Sequence, residues 1–376
     1  MADIRRNRIF NQPDRFIEGW YWALPSTELR RAEVKPLKLL GRDLALFRGD
    51  DGQAVALDAY CPHMGAHLAE GRVEGNELRC FFHEWKFDCS GTCVEAPRMT
   101  RPPRAQTRAW PTAERYGMIW VWTGATPARE LPYVPELEGV ECDARLGNRF
   151  VKNCHPNVVL INAIDENHFN SVHDLPVELL MKTEVVNDNV QTFANTTRVP
   201  DSNAMLRAIG RFYAGPLTYS MCYHFGATGT VTVGPDLMHF HIMFALRMIE
   251  GGKTEGQTIL ITRRRPGLAG KIFNRVALAA TRAVGDYFAK GDTQVFQTMK
   301  FDFATPTKAD HAIVDFVHHV ERQRPLGFGS WAPLSDGETI STDGETISAD
   351  GETIAAAAAA DSADPTARRS LEVLHG

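Results

Sequence analysis

No apolar run in this chain reaches the ~18–20 residues needed to cross a bilayer. The amino end, Met1-Ala2-Asp3-Ile4-Arg5-Arg6-Asn7-Arg8, also lacks the apolar stretch of a secretory leader, so a cytoplasmic, reducing setting is the expectation. A strong excess of either charge sign is absent. With 41 basic against 46 acidic residues, the formal charge of −5 gives no global reason to expect nucleic-acid binding. No Gly-x-Gly-x-x-Gly follows a strand-like run, and no ferredoxin-style cysteine run occurs. The chain therefore shows no module for taking electrons from a nicotinamide directly. Cysteine is sparse and odd in number, at seven, which argues against a disulfide framework.

What is present is unevenly spread. Cys61, Cys80, Cys89 and Cys93 crowd into one stretch, whereas Cys142, Cys154 and Cys222 are scattered and read as buried, inert thiols. The length of 376 residues suggests two domains plus extensions. From Lys35 to Trp122 the pattern is short strands and turns. Leu44–Phe47 and Ala54–Leu57 flank Gly49-Asp50-Asp51-Gly52, a hairpin signal, and Met118–Trp122 reads as another strand. Past a Pro-rich connector at residues 131–136, Val158–His173 reads as one helix. Strand-like runs follow at Leu217–Phe225, Thr228–Val233, His239–Met248 and Thr258–Arg263. A helix over about 268–290 comes next. Its stripe of Ile272, Phe273, Val276, Ala280, Ala283, Val284, Tyr287 and Phe288 is expected to face the core rather than a membrane. Strands followed by a long helix predict an α+β second domain, an antiparallel sheet covered by helices. Three copies of Asp-Gly-Glu-Thr-Ile, a polyalanine run and a polar stretch from Asp361-Ser362-Ala363-Asp364-Pro365 onward make up the last part of the sequence. One large apolar residue per repeat cannot build a coiled-coil seam, so residues 329–376 are expected to be a disordered tail.

Cys61-Pro62-His63, sixteen intervening residues, then Cys80-Phe81-Phe82-His83 is the most informative feature. Two thiolates can hold one iron of a [2Fe–2S] pair while two imidazoles hold the other, which raises the reduction potential relative to four thiolates. A structural zinc site is the competing reading, but zinc modules usually place like ligands in pairs, and here each loop mixes them. Cys89 and Cys93 are surplus to the four ligands and are expected to be free, partly buried thiols.

A second constellation follows at Asp165-Glu166-Asn167-His168-Phe169-Asn170-Ser171-Val172-His173. Two imidazoles and a carboxylate on one face of Fe(II) leave positions open for dioxygen. On a regular α-helix His168 and His173 would lie about 140° apart, so a π-bulge or local unwinding is needed to aim both at one metal. Taken alone, such a pair is more often ordinary core or surface histidines. His239 and His241 are expected to be structural, and His67 and His155 carry no assigned role.

The two cluster loops, with Gly91, Cys93 and Trp120-Val121-Trp122, resemble the Rieske domain of ring-hydroxylating oxygenases. Ala66 and Phe82 stand where high-potential Rieske proteins carry an extra disulfide pair. Glu84, where many members have glycine, resembles the steroid-hydroxylase and sterol-desaturase branches. The Asp-x-x-His-x-x-x-x-His run resembles the iron-binding helix of the same family.

The resemblance implies a Rieske domain over residues 1–130, a catalytic domain of helix-grip type over 131–328, and the tail. It implies Cys61, His63, Cys80 and His83 as cluster ligands, and His168 and His173 as ligands of a mononuclear iron. Asp292 follows as the third ligand, with Asp286 as fallback. Asp165 is implied as the carboxylate bridging that iron to the partner subunit's His83 in a homotrimer, with Asn162 a weaker supporting candidate. It also implies a terminal oxygenase component fed by a separate NAD(P)H-dependent reductase, directly or through a ferredoxin. The expected reaction is hydroxylation of a bulky apolar molecule, steroid-like, terpenoid or polycyclic. Desaturation, oxidative cyclisation and demethylation stand beside it as alternatives. A pure electron-transfer Rieske protein is the rival from another class.

Overall fold

Alternation of apolar and polar residues over 33–58 gives three antiparallel strands, Glu33–Leu39, Arg42–Arg48 and Ala54–Asp58, with Ala109–Trp110 on the outer edge. The hairpin turns at Gly52, whose φ of +85° is the left-handed region glycine enters without cost. A second four-stranded sheet, Arg72–Glu74, Glu77–Arg79, Lys86–Phe87 and Cys93–Glu95, carries one of the Cys/His loops at its end. A three-stranded sheet joins Thr112–Arg115, Met118–Trp122 and Trp20–Pro25. The computed structural model describes residues 8–334 except 174–180, 189, 199–206, 208–210, 212, 214, 225 and 236–237. The repeat tail from 335 onward lies outside the described residues.

Beyond the connector, seven antiparallel strands form one sheet in the order Cys142–Lys152, Lys253–Arg263, Phe240–Ile249, Thr228–Pro235, Pro216–His224, Val190–Arg198 and Lys182–Asn187. The expected mixed architecture is what the structure has. Among the described residues, four helices accompany the sheet: α1 (Pro156–Ile161), α2 (Glu166–Ser171), α3 (Gly267–Thr298) and α4 (His311–Glu321). Trp20, Trp22, Trp120 and Trp122 pack with Met243, Ile259 and Ile261, so one apolar cluster joins the first half of the chain to the sheet. Arg247 lies 3.8 Å from the Trp22 ring centre and donates to the Trp22 and Ala23 carbonyls, while Glu255 neutralises its charge. A buried guanidinium held on every side in this way fixes orientation more than it adds stability.

Four expectations need correction. The single helix over 158–173 is two short helices, because Asp165 takes an extended conformation (ψ 103°) and caps the start of α2. The long helix does not stop near 290 but runs to Thr298, so Asp292 is helical rather than following the helix. Its stripe also faces differently: Ile272, Phe273, Val276, Ala283 and Tyr287 are exposed, while Asn274, Ala277, Leu278 and Thr281 are buried. The helix lies close on large strand side chains such as Ile242 and Leu260, which leaves room beneath it for small residues. Finally, residues 329–333 pack back on the rest of their unit. Trp331 is 3 % exposed and stands 4.5 Å from the Trp110 ring. The strand Arg15–Ile17 pairs with Pro325–Gly327, so the ends of the described chain meet. The helix α4 and the strands Cys142–Lys152, Lys182–Asn187 and Val190–Arg198 were not anticipated. No helix among the described residues is long and apolar enough to cross a membrane.

Candidate metal centres

The loop after Ala54–Asp58 folds back on its own cysteine: Cys61 N–H donates to the Ala66 carbonyl, and Gly65 N–H to that of Cys61. The second loop does the same through Cys80 N–H and Trp85. Both thiols are buried, and burial pushes Cys61 up to about 11, so without metal it is a neutral thiol. His63 and His83 are exposed, with ring centres 4.6 Å apart, and His63 stacks on Trp85 at 4.2 Å. Soft donors therefore lie inside and imidazoles at the surface. Among the described residues, no three donors of this group fall within 4.8 Å of one another. A single tetrahedral zinc would gather them more tightly than that, whereas a two-iron cluster spreads them. Cys93 is buried, but Cys89 is exposed rather than partly buried; both are free.

Glu84 has a φ of +61°, which explains why glycine suits this position: an L side chain here carries backbone strain. Its carboxylate grips Arg72 in a two-pronged pair at 3.0 and 2.5 Å, and its carbonyl accepts from Arg79. The loop beside His83 is thus tied to the sheet beneath it by charge.

The second centre forms where α2 ends. Its last residue is Ser171, so His173 lies beyond the helix and turns back toward His168. Unwinding, not a π-bulge, brings the rings together. The two Nε2 atoms stand 2.9 Å apart, and Asp292 Oδ1 lies 3.0 Å from that of His173 and 3.4 Å from that of His168. His168 Nδ1 donates to the Asp165 carbonyl at 3.0 Å, which leaves its Nε2 as a lone pair. A lone pair cannot donate to the carboxylate, and Asp292 Oδ1 is buried without a hydrogen bond. Three facial donors ~2.1 Å from one metal would stand about 3.0 Å apart, close to the observed spacing. The residues fit a divalent metal. Burial opposes charge on His168, but Asp292 and the Asp165 carbonyl outweigh it and raise its pKa, while the same histidines hold the Asp292 carboxyl far below its usual range despite burial.

The other candidates separate clearly. The Asp165 carboxylate accepts from the Asn167 and His168 amides, capping α2. Asn162 Nδ2 is 3.2 Å from His168 Nε2, at the centre itself. Asp286 is not part of the centre; it accepts from Asn148 and pairs with Arg282. His241 meets Thr232, and His239 meets Glu136. His67 and His155 each cap a helix, accepting from the amide two residues on.

Sequence reasoning missed Gly291. A side-chain carbon there would stand 2.8 Å from Val172 Cγ1 and 3.3 Å from the His173 ring, so only glycine lets α3 pass this close and deliver Asp292. It also missed the cavity. About 260 Å³ opens beside the three donors, walled by Phe150, Leu160, Phe169, Met221, Ile242, Phe244 and Phe288. A register shift between Leu146 and Arg149 sets Asn148, Phe150 and Lys152 on the cavity side of their strand.

Residues 19–113 match the Rieske [2Fe-2S] domain. The chain is 35% identical over 179 residues to a 3-ketosteroid-9-alpha-monooxygenase oxygenase component of Rhodococcus rhodochrous, covering 46% of this chain and 47% of that one. It is 37% identical over 166 residues to the cholesterol 7-desaturase nvd of Bombyx mori, covering 43% and 36%. The match thus spans less than half the length of these relatives. Aminopyrrolnitrin oxygenase PrnD of Pseudomonas fluorescens is 29% identical, over 64% and 67%. Among solved structures, dicamba monooxygenase bound to dicamba superposes with a TM-score of 0.56 at 18% identity, covering 81% of this chain and 96% of that one. Pseudomonas putida CBB5 NdmA with caffeine gives 0.58 at 16%, covering 85% and 97%. A Rieske domain followed by a sheet domain with a two-histidine, one-carboxylate centre is the architecture of Rieske non-haem iron oxygenases. The chain carries a Rieske [2Fe-2S] domain and is similar in sequence and in fold to oxygenases of this kind.

Proposed function

We propose that this chain is a terminal oxygenase component that hydroxylates a bulky apolar substrate with dioxygen and electrons from a separate reductase. The observation that carries the reading is the convergence of His168, His173 and Asp292 on the wall of an apolar cavity. A pure electron carrier has no use for such a cavity. Cys61, Cys80, His63 and His83 hold the [2Fe–2S] cluster, and His168, His173 and Asp292 the mononuclear iron. When bound, the cluster supplies single electrons and the ferrous iron supplies open positions for activating dioxygen.

The protein's own part is positioning. The Asp165 carbonyl fixes the tautomer of His168, and Gly291 lets Asp292 close the triad. The Asp165 carboxylate, already anchored to α2, stands as the bridging group toward the partner subunit's His83 in a homotrimer. The exposed edges of His63 and His83 leave the cluster open to a reductase and to that neighbour. Phe169 and Phe288 flank the His173 ring and keep the cavity apolar and dry at the metal face. Matches to proteins named for steroids and cholesterol support a large apolar substrate.

Purified iron-replete protein, a surrogate reductase and ¹⁸O₂ should be offered steroids, terpenoids and polycyclic aromatics. The expected product carries one labelled oxygen, and His173→Ala keeps the cluster's visible spectrum while losing that product. Undiminished turnover by His173→Ala would remove the iron assignment.

A further inference from the structure

Lys152 ends the edge strand Cys142–Lys152 and lines the cavity. Its ammonium has no carboxylate within ion-pairing distance among the described residues; it donates to Thr293 Oγ1 at 3.1 Å and lies 5.4 Å from the Phe296 ring and 5.7 Å from Phe150. Other charges along the same lining are matched: Arg282 holds Asp286 and Asn148, and Asp286 accepts from Asn148 as well. Asp292 acts on Lys152 only through space, and its Oδ1 faces the two histidines at 3.0 and 3.4 Å. A half-buried cation against aromatic walls with only a hydroxyl for company is short of an anion. Thr293, which it touches, follows Asp292 directly on α3. An anion at Lys152 therefore lies beside the metal face.

We propose that Lys152 is a specificity-determining residue that receives an anionic oxygen of the substrate, so that the cavity takes apolar molecules carrying one carboxylate or comparable acid group. The inference rests on the oxygenase reading for the word substrate, but its physical content is a binding preference. Lysine suits the task as a point charge on a flexible stem, reaching acids of somewhat different shape. The same charge disfavours a cationic head group in this cavity. The phenyl walls favour a flat or multi-ring body over a bare chain.

The test is equilibrium binding, without reductant or turnover, so that its failure is separable from failure of the oxygenase reading. Anthracene-9-carboxylate and anthracene-9-methanol, both fluorescent and nearly equal in shape, are titrated into the holoprotein, Lys152→Met and Lys152→Arg. The acid is expected to bind wild type about tenfold tighter than the alcohol, the usual worth of a charge-assisted contact. Lys152→Met should lose that preference while keeping the alcohol's affinity, and Lys152→Arg should restore much of it. The cluster's visible spectrum checks that each variant is folded. Equal affinity of wild type for the two probes, an unchanged acid affinity in Lys152→Met, or absence of binding by both probes would each overturn the proposal. Acid preference without any oxygenated product would leave Lys152's role standing and remove the reaction instead.

Discussion

Gly291 runs directly against His173: a Cβ at 291 would meet the imidazole at 3.3 Å and the neighbouring Val172 at 2.8 Å. The Val172 contact is shorter than packed side chains tolerate and the imidazole contact is tight, so a larger residue must shift α3 or the chain segment holding His173. Asp292 follows one position later and would move with the helix. Gly291→Ala is expected to weaken retention of the mononuclear iron roughly tenfold, as loss of a supporting contact does in other metal sites. Helical propensity favours the alanine by ~1 kcal/mol and offsets part of the steric cost, so the thermal midpoint should move little. Metal analysis alongside a melting curve separates the two effects. Unchanged iron content would show that the close passage is incidental.

Asp165 caps α2 and is proposed to bridge the two centres, and different substitutions divide these tasks. Asp165→Ala removes the cap of α2 and should cost about 1 kcal/mol in urea unfolding. Asp165→Asn keeps a capping oxygen and should leave stability and both metal contents intact. If the carboxylate bridges the two centres, the asparagine variant will reoxidise its reduced cluster far more slowly in the presence of substrate and oxygen. Stopped-flow absorbance reads this directly, and reoxidation at the wild-type rate would refute the bridging role.

Glu84 combines a strained backbone with a charge pair, so its replacements should diverge. Glu84→Ala keeps the positive φ and loses the Arg72 contact, and its melting temperature should fall. Glu84→Gly loses the contact but relieves the strain, and should melt above the alanine variant. Both remove a negative charge beside His83, which raises the cluster's reduction potential in a protein-film titration. Solvent screening at this exposed site limits that rise.

His155 is buried, and desolvation lowers its pKa to about 4 although the Arg15 carbonyl works the other way. The unfolded chain, at about 6.5, binds a proton the folded chain refuses between these two values. Stability from this group is therefore complete above pH 6.5 and declines as the pH falls toward 4, by up to ~3 kcal/mol. His155→Asn preserves the cap of α1 without titrating. Urea midpoints at pH 7.5 and 4.5 should differ less in that variant than in wild type. An identical pH dependence would place His155 outside the acid response.

Much of the fold was legible because its signals are local. The hairpin around Gly52 and the strand Met118–Trp122 follow from turn residues and alternation. The second domain was legible only in part. Its edge strands Cys142–Lys152 and Lys182–Asn187 are rich in charged and polar residues, so alternation is blurred there. The stripe on α3 misled because apolar periodicity reports a face without saying which side the sheet occupies. The buried face of Asn274, Ala277 and Thr281 is defined by close packing on the strands, which no window of sequence contains.

The chain by itself determined the donor types: mixed Cys/His pairs on two short loops, and two histidines five positions apart after an aspartate. Those are properties of neighbours in sequence, where bond geometry limits what a loop can hold. The resemblance pointed to Asp292, but only the tertiary structure decided that it stands 3.0 Å from His173, that α2 ends before that histidine, and that an uncompensated lysine looks into the cavity. Each of these depends on distances between segments far apart along the backbone, set by how a long helix lies across a sheet.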